Sequence, residues 1–178
     1  MDERLRKELE RSVAAWAEGQ QHEAQMHGEL VDLGLLQPSG DPSASALAAL
    51  GYVGPAVAKF IDLAQESRAA DEAASAAEEK CRRASNNLAH SGGSGHEAQS
   101  AGWDLDRARM RQDAARVKYN RARNAARTEV RTERMLRLIQ VVKETLTSAK
   151  DLEGADAHVM DRGQNALWEL EASIRSSR

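Results

Sequence analysis

This chain is short of the residues that break helices, cross-link loops or build strands. Its one cysteine, Cys81, excludes an intramolecular disulfide and fits a reducing compartment. All three prolines fall at 38, 42 and 55, which leaves the last two thirds without a strong helix breaker. Aromatic residues number six and β-branched residues are sparse, so sheets have little to be built from. No uncharged apolar run reaches the roughly 18 residues that a membrane-spanning helix needs. The charged start, Met1 to Glu10, has no apolar core of a secretory signal, so a cytoplasmic location is expected.

The chemistry of catalysis is sparse as well. There is no nucleophile elbow and no dinucleotide fingerprint. The run Ser91 to Gly95 lacks the Lys and Ser/Thr of a phosphate-cradling loop, and no strand precedes it. His90 and His96 bracket that run at no helical ligand spacing, and His22 and His27 are five apart, off the i,i+4 step that would align two imidazoles. Cys81 has no histidine marked out beside it and reads as a small core residue. The expectation is therefore a non-enzymatic protein with no catalytic residue, metal or cofactor.

What is abundant is alanine, 32 of 178 residues, and charge, at 30%. Alanine has the best helix propensity, and charges suit solvated helix faces. The fold class expected is all-α: an elongated antiparallel helical hairpin or coiled-coil bundle with one very long C-terminal helix. As a single domain over 1–178, the chain divides into a helix at 2–36, a loop and short helix at 37–54, and a helix at 55–89. A Gly/Ser loop at 90–100 and a long helix at 101–176 follow.

In the first helix, Leu5, Leu9, Val13, Trp16, Met26, Leu30 and Leu33 fall near a heptad stripe. Gly19 and Gly28 weaken its middle or mark a close approach. Ser43 or Ser45 can cap the short helix. The uncharged elbow at 44–58 is the most apolar stretch, read as a buried corner or as a surface that meets a membrane or a partner. In the long helix, Met110, Ala114, Val117, Ala122, Ala126, Val130, Met135, Leu138, Ile139 and Val142 recur at three- and four-residue steps, as one slowly rotating stripe.

Placing the reversal at Gly93 makes facing positions add to about 186, so Phe60 should meet Ala126 and Trp16 should lie near Leu170 and Ile174. Charge agrees with this pairing. Residues 107–137 carry 11 basic and three acidic side chains, whereas Asp62 to Glu79 carry six acidic and one basic.

Three functions follow as expectations. The first is a scaffold or adaptor that binds proteins and associates with itself as a homodimer or higher oligomer. Its contacts would come from Trp16, Leu30, Leu138, Val142, Leu167, Trp168 and Trp103. The second is a membrane-surface protein that uses the 44–58 elbow and the basic 107–137 stripe on anionic lipid. The third is a nucleic-acid binder through the same basic helix, with Arg116, Arg121, Arg123 and Arg127 as the residues for an anionic partner. The excess of arginine over lysine, with the alanine content, points to a GC-rich bacterial genome.

Overall fold

A computed structural model describes residues 3–20, 23–35, 40–150 and 157–176. These form six helices and no strand: α1 (Glu3–Ala17), α2 (Glu23–Asp32), α3 (Pro42–Ala49), α4 (Pro55–Ser91), α5 (Gly95–Lys150) and α6 (Ala157–Ser176). The all-α class is as the composition implies, and the two longest helices, α4 and α5, pack closely. The chain divides into two compact units, Met1–Arg127 and Thr128–Arg178.

The expected single helix at 2–36 is two helices. Gly19 takes φ +76°, its N–H bonds to Trp16 O at 3.0 Å, and the Gln20 N–H bonds to Ala15 O at 2.8 Å. That is a Schellman ending, which satisfies the last carbonyls of α1 and which a side chain at residue 19 would strain. Gly19 is thus a stop. A heptad stripe continued across it because Met26 and Leu30 belong to a second helix that returns to the same core.

The cap of α3 also differs from expectation. Asp41 Oδ1 accepts the Ala44 N–H at 2.8 Å, and Pro42 occupies the first turn, so the helix starts earlier than a serine cap would place it. α3 packs against α1, α2 and α4. Its elbow is core: Ala44, Ala46, Leu47, Tyr52 and Val57 are buried, while Val53 is 88% exposed.

Around α3 sits the bulky core of the first unit. Leu9, Val13, Trp16, Met26, Leu30, Leu47, Val57 and Phe60 are each under 2% exposed. The Trp16 and Phe60 rings lie 5.8 Å apart, and Phe60 lies 5.5 Å from Tyr119. The Arg127 guanidinium stands 5.1 Å from the Trp16 ring. Trp16 thus meets Phe60 and Arg127 within the first unit. Ala126, the residue expected opposite Phe60, is fully buried, and the aromatic neighbours of Phe60 are Trp16 and Tyr119.

Beyond this core α4 and α5 run antiparallel to the glycine tip. Lys80 pairs with Asp104 at 3.0 Å, Glu78 with Arg109 at 3.8 Å, Asp71 with Gln112 at 2.8 Å and Glu66 with Lys118 at 3.0 Å. These pairs add to between 183 and 187, close to the expected register of 186. Between the helices lie small side chains: Ala74, Ala84, Ala101, Ala115 and Ala122 are buried. At the tip, a Cβ on Gly93 would stand 3.0 Å from the Asn87 and Leu88 backbone, a tight contact that favours glycine there. The tip is shorter than the loop expected at 90–100, because α5 already begins at Gly95.

The second unit is another antiparallel pair. Lys143 of α5 forms an ion pair with Glu171 of α6, and Gln164 Nε2 donates to Thr147 Oγ1 at 3.0 Å. Gly163 lies against Leu146, where an added Cβ would stand 3.4 Å from the leucine methyl. The chain therefore reverses a second time between Lys150 and Ala157, and residues 101–176 are not one helix. Gly154, within the long helix expected at 101–176, lies outside the described residues. Periodicity missed this reversal because α6 keeps a helical spacing of its own.

Candidate interaction surfaces

On α5 the apolar residues do not form one stripe. Ala115, Ala122, Ala126, Val130 and Ile139 are buried, whereas Met110, Val117, Met135, Leu138 and Val142 are exposed. Alanines line the seam with α4, because two helices that approach closely leave no room for larger side chains. The large apolar residues therefore stand outside it.

In the second unit, the contacts of Leu146, Thr147 and Lys143 define the side of α5 that meets α6. At about 100° per residue, Met135, Leu138 and Val142 lie beside that contact on one flank. On α6, Val159, Ala166 and Leu170 lie on the matching flank relative to Gly163, Gln164 and Glu171. In an antiparallel pair these two flanks face the same way, so they make one continuous face. Leu138 is 62% exposed, Val142 44%, Val159 49% and Leu170 49%. No residue of α6 is fully buried. Arg137, Glu144, Glu169 and Arg175 point elsewhere, whereas Arg162 borders the face on α6 and Arg131 continues its line on α5 one turn before Met135, so the face is mainly apolar with an arginine at two of its edges.

The contact between the helices is electrostatic as well as apolar. Lys143 is 14% exposed and Glu171 22%, and the Lys143 ammonium also lies 4.6 Å from the Trp168 ring. Hydrogen bonds from Lys143 and then Arg175 hold the Glu171 carboxyl below the usual range. Near the glycine tip, Lys80 and then Arg107 do the same for Asp104.

The residues marked out in the sequence are thus dispersed. Trp16 and Leu30 are wholly inside the first unit and serve its own core. Leu138 and Val142 share the exposed face of the second unit, Leu167 is half-buried at its helix contact, and Trp168, 68% exposed, stands on the other flank over Lys143. Trp103 is 58% exposed, near the glycine tip.

Of the four arginines, Arg127 covers Trp16, while Arg116 and Arg123 line an open groove of about 490 Å³ together with Asp41, Arg68, Asp71 and Tyr119. There the Tyr119 hydroxyl donates to Asp41 Oδ2 at 2.8 Å, while the other oxygen of Asp41 caps α3, so this carboxylate ties α3 to α5. Arg121 is exposed away from the groove.

The exposed stripe of Trp103, Met110 and Val117 was hidden by reading Met110 and Val117 as core; their seven-residue spacing was the available signal. Cys81 is half-buried, and the His90 ring sits 3.1 Å from Asn86 O. His22 lies outside the described residues. Among the described residues, no group of His, Cys, Asp and Glu is placed to hold a metal ion, and no helix is long and apolar enough to cross a membrane. A scan of protein-family models matches none, and searches of curated proteins and of solved structures find no match either.

Proposed function

We propose that this chain is a non-enzymatic helical interaction module that pairs with a second copy of itself through the mainly apolar face that α5 and α6 share in residues 128–178. The observation that carries the reading is that face: large apolar residues of α5 and α6, roughly half-exposed, aligned on one side of a two-helix pair. Two antiparallel helices bury only one seam, and four share a core. Two copies related by a twofold axis would apply the same face to itself. A mainly apolar face suits such pairing, because burial of its leucine and valine side chains, rather than charge, supplies the attraction.

Leu138→Cys in a Cys81→Ser background, treated with a short bismaleimide, tests the reading. The expected product is a covalent dimer, with little from a Val117→Cys control. Absence of dimer at Leu138, or equal cross-linking at both positions, would overturn it.

A further inference from the structure

A second surface lies in the first unit, on one flank of α5 beside its seam with α4. Trp103, Arg107, Met110, Ala114, Val117 and Arg121 alternate at steps of four and three, a 3.5-residue repeat. That repeat is the seam of a helix-on-helix contact. Every one of the six is exposed, with Met110 at 71% and Val117 at 52%. Methionine, tryptophan and valine exposed on one line of a helix make an apolar row of the geometry that a partner helix covers.

We infer that this stripe docks an amphipathic partner helix whose seam carries carboxylates opposite Arg107 and Arg121. The charges choose that occupant. Arg121 makes no ion pair or hydrogen bond among the described residues, and Arg107 reaches only along its own helix, to Asp104 at 2.9 Å. The two arginines are 14 residues apart, about 21 Å, so an acidic residue repeated two heptads apart would meet both.

A second copy fits poorly. In parallel register the flanks would pair, Asp106 with Arg111 and Asp113 with Lys118 of the mate, but Arg107 and Arg121 would each lie on their own counterparts within the seam, where like charges are costly. Antiparallel, the basic flank of Arg111 and Lys118 would meet the same basic flank of its mate. This surface is distinct from the face of residues 128–178 and does not depend on it.

The test uses the full chain and a fluorescent three-heptad helical peptide with leucine at the apolar seam positions and glutamate at the two facing the arginines. A control peptide carries lysine at those two positions. Anisotropy titration should show the glutamate peptide binding and the lysine peptide about tenfold weaker or worse. Met110→Glu should abolish binding, and Arg107→Glu with Arg121→Glu should reverse the preference between peptides. Leu138→Glu should leave the affinity unchanged, which separates this surface from the proposed self-association. Circular dichroism of each variant checks that helix content is kept. No binding by wild type, equal binding of both peptides, or binding indifferent to Met110→Glu would overturn the inference. So would loss of a dimer in Met110→Glu, which would give the stripe to a second copy instead.

Discussion

The base of the α4–α5 pair and its outer arm are built from the same two helices and stabilised differently. At the base, Trp16, Phe60, Leu47 and Val57 fill a core with large side chains from α1, α3 and α4. In the arm, the buried residues are alanines, flanked by ion pairs whose side chains are largely exposed, such as Lys80 with Asp104 and Lys118 with Glu66. Burial scales with apolar area, and solvated ion pairs add little. The base therefore carries the stability. The arm offers closely packed helices with open flanks, and the stripe on α5 runs along one of them.

That contrast can be broken most severely at Trp16. Trp16→Ala should cost about 3–5 kcal/mol, read by chemical denaturation, because it empties a site with no exposure. A loss under about 1 kcal/mol would show that the bulky base is not the dominant core.

Ala115→Leu probes the arm from the opposite direction. Adding volume to its tight seam should destabilise by roughly 1–3 kcal/mol, whereas Val117→Ala, two residues on and 52% exposed, should stay within about 0.5 kcal/mol. Similar effects at both positions would mean that the seam is loosely packed. Gly19→Ala should cost about 1–2 kcal/mol, since the left-handed backbone at residue 19 penalises any Cβ. Lys80→Ala should be smaller than either, within about 1 kcal/mol in a thermal melt, because its pair with Asp104 is solvated.

The smallest expected effect is a pH dependence in the second unit. Lys143 and Arg175 lower the Glu171 carboxyl in the folded state, so its contribution is present above the ordinary glutamate range. That contribution is lost as pH falls through the depressed value. Amide-exchange protection in α6 should therefore decline on acidification, and Glu171→Gln should flatten that decline.

How much of this was legible in the sequence depends on what periodicity records. Helix content, the turn at Gly93 and the α4–α5 register could be read because glycine, charge and apolar spacing agreed there. The seam itself could not. A 3.6-residue pattern marks where large apolar residues recur, and in α5 those residues are partly outside while alanine fills the interface. The same limit hid the second reversal, because α6 repeats the helical period and gives no sign of turning back. Gly19 looked like a tolerated residue until its positive φ made it a terminator. Of the candidate contacts, Leu138, Val142, Trp168 and Trp103 are on the surface, whereas Trp16 and Leu30 are consumed by the chain's own core.

The face of residues 128–178 is the point on which the functional account rests, and light scattering on a size-exclusion column across a concentration series tests it. The 19.4 kDa chain is predicted to elute at twice its mass, and Leu138→Glu combined with Val142→Glu to elute at 19.4 kDa with unchanged helix content. A wild-type chain that stays at single mass at the highest concentration, or a double variant that still doubles, would contradict it.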